Sequence, residues 1–261
     1  MDSAPAKSVV FISGTFIHNN CWDDWIIYFQ NAGYKCIAPS WPHKEANAEE
    51  LRNKSQYDAI ALNTIVSLTD HFAAIINALP EKPILIGHSF GGIIVQLLLQ
   101  RELGDAGVAI HSFPPSSVAC FRFSFFKAMW GAMALFSSNN KSYLMPFSTW
   151  RYAVTNGMEY PLQKDLYYLY AIPESKKIVR EAFKCVTKID FKKSHAPLLI
   201  TSGGEDRLIP ASANYCNYKK YSAANSITDY REFKDHNHLV FGHPTWKTEA
   251  NSILHWLKGL K

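Results

Sequence analysis

The segment Pro83-Ile84-Leu85-Ile86-Gly87-His88-Ser89-Phe90-Gly91-Gly92-Ile93-Ile94 constrains the fold of this chain more than any other. An apolar run of β type enters a Gly-x-Ser-x-Gly turn, and a helix-forming run follows without a spacer. So abrupt a reversal holds its central residue on a strained bend, with the hydroxyl presented beside a helix N-terminus. Gly87 and Gly91 omit the Cβ atoms that would block the backbone as it doubles back. At average glycine and serine usage the pentapeptide arises by chance in roughly one chain in ten of this length. Its setting between strand and helix gives it weight. Without further partners for Ser89 it would be a glycine-rich turn carrying a solvated serine.

The same rhythm continues along the chain. With 261 residues, 48% of them hydrophobic, there is material for one large α/β domain. Short apolar runs predict strands over 8–12, 35–38, 84–88, 108–112, 198–202 and 228–233. Helix-period segments lie between or after them, over 22–32, 62–79, 92–102, 211–221 and 245–260. The expected fold is an open, mostly parallel sheet of about six strands flanked by helices. Residues 1–112 and 194–261 form its core.

Residues 113–193 break the alternation. Phe121, Phe125, Met129, Met133 and Phe136 recur at near-helical spacing with Trp130 and Leu135 beside them, and Pro114-Pro115, Pro146, Pro161 and Pro173 divide the stretch. A structureless loop of that length does not belong in a compact domain, so an inserted helical cap of three or four pieces is expected. Packing of cap on core accounts for most of the aromatic stripe. Phe16, Phe125, Met129, Trp130 and Trp150 are the candidates to line a pocket over Ser89.

Composition excludes several partners. The net charge of +5 is scattered, its densest clusters being pairs such as Lys192-Lys193 and Lys219-Lys220, which read as solvated faces and not as a nucleic-acid surface. Cys21, Cys36, Cys120, Cys185 and Cys216 show no C-x-x-C pair or metal-ligand spacing, so reduced thiols in a cytoplasmic compartment are expected, with no metal. The apolar run at 9–12 is too short for a signal core or a membrane span, so no membrane partner is expected. Nothing in the chain reads out an oligomeric state.

A serine hydroxyl needs a base within hydrogen-bond reach, itself oriented by a carboxylate. In such sheets the order is serine, acid, histidine, each on a loop after a later strand. The strand at 198–202 leads into Gly203-Gly204-Glu205-Asp206-Arg207-Leu208-Ile209-Pro210, where Asp206 is the candidate and Glu205 the weaker one. The last strand leads into Lys234-Asp235-His236-Asn237-His238-Leu239-Val240-Phe241-Gly242-His243. His243, before Pro244 at a helix entry, reads as structural. His238, directly before an apolar turn, is favoured over His236, which reads as a polar neighbour or surface residue.

With these segments in place, the chain resembles the α/β-hydrolase superfamily over nearly its whole length, and small soluble members with a helical cap in particular. The similarity rests on Val9-Val10-Phe11-Ile12-Ser13-Gly14-Thr15 leading to Trp22 and on Gly87-His88-Ser89-Phe90-Gly91-Gly92. It rests further on the segment 203–210 and on His238-Leu239-Val240-Phe241-Gly242-His243-Pro244-Thr245-Trp246. The last segment is similar to relatives reading Ser-His-Trp and then Gly-x-Pro-x-Trp, and that register selects His238. The resemblance implies the catalytic set Ser89, Asp206 and His238, with the backbone N–H groups of Thr15 and Phe90 as oxyanion hole. It also implies a sheet lacking the superfamily's two leading antiparallel strands. One departure stands out: the usual His-Gly after the first strand is Ser13-Gly14, which puts the bracing of the oxyanion loop in question.

The expected activity is cofactor-free hydrolysis of a carboxylic ester or related acyl substrate, small, apolar or aromatic. Lactonase, C–C bond hydrolase and cofactor-free haloperoxidase or perhydrolase activities share the same triad. Hydroxynitrile lyases characteristically carry a lysine directly after the catalytic histidine, and Leu239 stands there instead. The non-enzyme alternative is a ligand-binding receptor on a hydrolase-like fold.

Overall fold

The computed structural model describes residues 7–53, 59–118, 123–133, 141–182 and 185–260. Its strands are β1 (Ser8–Ile12), β2 (Lys35–Ile37), β3 (Ile84–His88), β4 (Ala106–Ile110), β5 (Ser142–Tyr143), β6 (Glu174–Ser175), β7 (Leu198–Gly203) and β8 (Thr228–Phe233). β5 and β6 pair only with each other, antiparallel; the other six form one sheet in the order β2-β1-β3-β4-β7-β8. Every neighbouring pair in it is parallel, with Val10 beside Leu85, Ile86 beside Val108 and Ala109 beside Ile200. Every residue of β3, β4 and β7 is buried, whereas the edge strands β2 and β8 are partly exposed. That gradient is the signature of a parallel sheet covered on both faces.

The helices are α1 (Asp23–Asn31), α2 (Ala48–Asn53), α3 (Ile65–Asn77), α4 (Phe90–Gln100) and α5 (Phe123–Met133). Then follow α6 (Phe147–Ala153), α7 (Tyr160–Tyr170), α8 (Lys176–Glu181), α9 (Ala211–Lys220) and α10 (Trp246–Gly259). Helix α4 lies across β3 and β4 with α3 packed on it, and α9 lies on β7 and β8. Elsewhere an aromatic cluster joins strand to helix. Phe11 of β1 packs on Trp22 and Phe29 at 4.7 and 5.4 Å, and Trp25 meets Trp246 at the start of α10 at 5.7 Å.

Strand order reverses between β1 and β3, so the carboxyl ends of those two strands flank the topological switch point where ligands collect in open α/β sheets. The loop after β1 and the turn after β3 meet there. Between β4 and β7 the chain supplies the four helices α5–α8 and the small β5–β6 pair. Pro146 caps α6, Pro161 stands in the first turn of α7 and Pro173 directly precedes β6. Phe121, Leu135 and Phe136 of the expected stripe lie outside the described residues.

Element boundaries differ from the sequence reading where packing overrides local chemistry. β4 begins at Ala106, two residues before the expected start, because Gly107 is a packing residue and not a turn residue. A Cβ there would come 2.6 Å from Leu99 and 2.9 Å from Val95 of α4. The strand also ends early, since His111 turns out of it at φ +43°. Helix α3 begins at Ile65, later than the expected 62, because Thr64 and Ser67 form a capping box that starts the helix there.

Candidate active site

Ser89 follows β3 directly and adopts φ 55° and ψ −117°, a conformation costly for any residue with a side chain. The surroundings hold it there. Its N–H donates to the Ile110 carbonyl at 2.9 Å, and its own carbonyl accepts from Phe113 N–H at 3.0 Å. The two flanking glycines are sterically required. A Cβ on Gly87 would fall 2.2 Å from the Gly91 carbonyl oxygen, and one on Gly91 would fall 2.1 Å from that of Ile12.

Asp206, on the loop after β7, and His238, on the loop after β8, converge on this serine. His238 Nε2 lies 3.1 Å from Ser89 Oγ, and His238 Nδ1 lies 2.7 Å from Asp206 Oδ2. The other carboxylate oxygen, Oδ1, accepts from the N–H groups of Leu208 and Ile209 at 2.8 and 2.7 Å, which fixes the plane of the carboxylate. A proton on Nδ1 facing Asp206 leaves the Nε2 lone pair toward the serine hydroxyl. All three residues are buried.

Two asparagines tie the two loops to the segment between α6 and α7. Asn156, between α6 and α7, donates to the Glu205 carbonyl at 2.9 Å and accepts from the side chain of Asn237 at 2.8 Å. The Asn237 side chain in turn accepts from Leu239 N–H at 2.9 Å, and that N–H also reaches the Val154 carbonyl at 3.0 Å. The residues before Asp206 and around His238 are therefore held by one polar clasp. His88, fully buried, donates from Nε2 to the His238 carbonyl at 2.8 Å. Burial, followed by the neighbouring His238 ring, holds its pKa well below the ordinary histidine value, so it stays neutral.

The loop after β1 crosses close over the serine. A Cβ on Gly14 would stand 2.9 Å from Ser89 Cβ and 3.1 Å from the His88 carbonyl oxygen. Among the described residues, neither the Thr15 nor the Phe90 backbone N–H has an intramolecular acceptor. Phe90 is the first residue of α4, where amides are unsatisfied and the helix dipole favours negative charge.

Ser13 is buried, and the bracing of this loop comes from elsewhere. Phe16, at φ +64°, donates its N–H to Glu174 Oε2 at 3.3 Å and accepts from Ile172 N–H at 3.0 Å. Glu174 forms a buried ion pair with Lys44, whose ammonium also sits 4.1 Å from the Trp41 ring centroid. Burial pulls the Lys44 pKa below its ordinary value, with Glu174 opposing. No sequence pattern announced this pair, since Lys44 and Glu174 are 130 positions apart.

Aromatic rings lead away from the serine: Phe90 packs on Phe113 at 4.6 Å, and Phe113 on Phe125 of α5 at 5.9 Å. Phe125, Met129 and Phe16 are buried, and Tyr143 meets Phe16 edge-on at 6.1 Å. Trp150 is buried against Tyr167 of α7 at 5.6 Å. Trp130 corrects the expectation: it is 77% exposed on the outer side of α5, because the stripe buries the Phe125–Met129 face and Trp130 is one residue off it.

His236, expected as a polar neighbour or a surface residue, is the former. It is buried, with Nδ1 3.0 Å from Glu249 Oε2 and Nε2 2.9 Å from Thr245 Oγ1. Glu249, on α10, faces inward toward His111, the residue that leaves β4.

The model of the alpha/beta hydrolase family matches residues 9–246, and the chain belongs to that family. No curated protein matches it. Among solved structures, it is similar to a monoacylglycerol lipase from Paleococcus ferrophilus at 20% identity and TM-score 0.68, covering 96% of this chain and 93% of that one. A methylesterase from Arabidopsis shares 14% identity at TM-score 0.67, with 97% and 99% covered. A candidate non-heme bromoperoxidase from Mycobacterium tuberculosis shares 19% at TM-score 0.70, with 99% and 94% covered. At these identities the likeness establishes the fold. Among the described residues, no helix is long and apolar enough to cross a membrane.

Proposed function

We propose that this chain is a serine hydrolase that cleaves a carboxylic ester or related acyl compound through an acyl-enzyme on Ser89. The observation that carries the reading is the hydrogen-bonded chain Ser89–His238–Asp206, with its 3.1 and 2.7 Å contacts on a strained strand-to-helix turn. Ser89 Oγ attacks the acyl carbon while its proton passes to His238 Nε2. Asp206 holds the Nδ1–H tautomer and balances the imidazolium that forms. The oxyanion is received by the N–H groups of Thr15 and Phe90; loss of one such donor typically costs about 3–4 kcal/mol of transition-state stabilisation. His238 then protonates the leaving alcohol, and a water deprotonated by the same nitrogen releases the acid and restores Ser89.

The segment 113–193 is the cap in this reading, and Phe16, Phe113, Phe125, Met129 and Tyr143 are the walls of an apolar acyl or alcohol subsite. Buried aromatic walls with few charges favour an apolar or aromatic group over a sugar or polyacid. The scattered cysteines point to a reducing, cytoplasmic setting.

A panel of p-nitrophenyl esters of increasing chain length, an aryl ester and simple lactones tests the substrate class. The expected result is kcat/KM for medium-chain and aryl esters at least tenfold above that for acetate. Turnover of lactones with none of the esters would replace the ester assignment by lactone opening on the same residues.

A further inference from the structure

Behind the Ser89–His238–Asp206 chain lies a buried group of titratable side chains that ester hydrolysis does not require. His111 Nδ1 is 3.9 Å from Asp206 Oδ2, and His111 Nε2 is 3.5 Å from Glu249 Oε2. His236 Nδ1 is 3.0 Å from that same Glu249 oxygen. The side chains of His111, Asp206 and Glu249 have no solvent exposure. The sequence His238–Asp206–His111–Glu249–His236 therefore alternates imidazole and carboxylate, with Asp206 and Glu249 facing one ring between them.

We propose that His111 is a buried imidazolium shared by Asp206 and Glu249, and that its charge acts on the proton transfer from Ser89 to His238. A neutral imidazole has one N–H and one bare lone pair, so one of its nitrogens would turn a lone pair toward a carboxylate. Only the protonated ring offers an N–H to each. The His238 backbone is a further acceptor beside the ring, which favours an N–H over a bare lone pair. Two buried carboxylates this close to one ring also need a compensating cation, since an unpaired buried charge is expensive.

The charged and titratable groups around His111 come from four elements. Asp206 comes from the loop after β7, Glu249 from α10, His236 and His238 from the loop after β8, and His88 from the end of β3. His88 is neutral, as described above. His236 faces the same carboxylate from its far side, with Nδ1 3.0 Å from Glu249 Oε2. Burial alone would push His111 down, but Glu249 and Asp206 outweigh it and raise its pKa. Glu249, which burial would raise, is instead pulled down to about 2, first by His111 and then by His236. His111 also sits at φ +43°, a strained conformation kept at this one point of the β4 exit.

The consequence for His238 has a definite sign. The two rings are 6.4 Å apart, and a cation at that distance opposes a second positive charge. That repulsion weighs against the imidazolium that His238 becomes when it takes the Ser89 proton. His111 also faces Asp206, with Nδ1 3.9 Å from the oxygen that meets His238. His111 is thus a positioning residue that acts on the reaction through His238 and Asp206.

This inference rests on His238 being the base for Ser89, and the test separates the two. The second-order rate of Ser89 labelling by a fluorophosphonate is followed from pH 4 to 9 in the wild type and in His111→Asn, asparagine being tolerant of the positive φ. The labelling midpoint is expected to move up by about one to two pH units in the variant, the size of one unit charge at this separation at an effective dielectric near 20. An unlabelled wild type would sink the hydrolase reading itself. A labelled variant with an unmoved midpoint would overturn the role of His111 alone. Should the variant fail to fold, ¹⁵N spectra of the histidine rings in the wild type decide the matter. Both His111 nitrogens are expected to be protonated at pH 7, and a neutral tautomer would overturn the proposal.

Discussion

Ser89→Ala lowers kcat for the best ester substrate by about 10⁵- to 10⁶-fold, the loss typical when the nucleophile of a serine, histidine and aspartate set is removed. The turn that holds the serine is built by Gly87, Gly91 and backbone bonds to Ile110 and Phe113, none of which uses the hydroxyl. The variant therefore folds with a melting temperature close to the wild type. Substrate affinity is also expected to survive, because the variant alters no other side chain of the proposed acyl subsite. Kinetics and thermal unfolding on the same sample check both halves. Residual activity above about one per cent of wild type would remove Ser89 from the chemistry.

Lys44→Met is the second large effect, and it acts on stability. The Lys44–Glu174 pair is buried on both sides, and removing one partner strands the other charge in the interior. Such a loss typically costs about 3–5 kcal/mol, a large share of the stability of an ordinary domain. Glu174 also receives the Phe16 N–H next to the Thr15 amide, so the loosened loop should lower kcat more than it raises KM. The double variant Lys44→Met, Glu174→Gln has no stranded charge and is expected to recover at least half of the lost stability. Urea unfolding of the two single variants and the double one closes the cycle. A Lys44→Met protein as stable as the wild type would show that the ion pair does not brace the loop.

The two predictions touch different layers of what could be read from the chain. The strand, turn and helix around Ser89 were legible because all their determinants are local: an apolar run, two glycines and a helix-forming run within twelve residues. Asp206 and His238 were legible because each follows a recognisable strand. Their spatial convergence required the sheet order, in which β3, β4, β7 and β8 are consecutive neighbours. The Lys44–Glu174 pair and the group His111, Glu249 and His236 left no local trace. Each joins side chains from separate elements, and a lone histidine after a strand looks alike whether it faces solvent or two carboxylates. The reading of His236 as a polar neighbour or surface residue stayed open for that reason. Trp130 was misplaced by a subtler cause, since a helical stripe fixes the buried face but one residue's shift around the helix turns a ring outward. The expected start of β4 at 108 left out Gly107, because its reason for being glycine, the close passage of Leu99 and Val95, exists only in the folded state.

The account stands on Ser89 being the atom that bonds to the acyl carbon, activated by His238. Intact-mass analysis after fluorophosphonate treatment at neutral pH tests it directly, with peptide mapping to locate the adduct. A single phosphonyl group on Ser89, lost in Ser89→Ala and formed at least a thousandfold more slowly in His238→Ala, is the predicted result. A folded wild-type protein that stays unmodified at high probe concentration, or one modified at another residue, would contradict it.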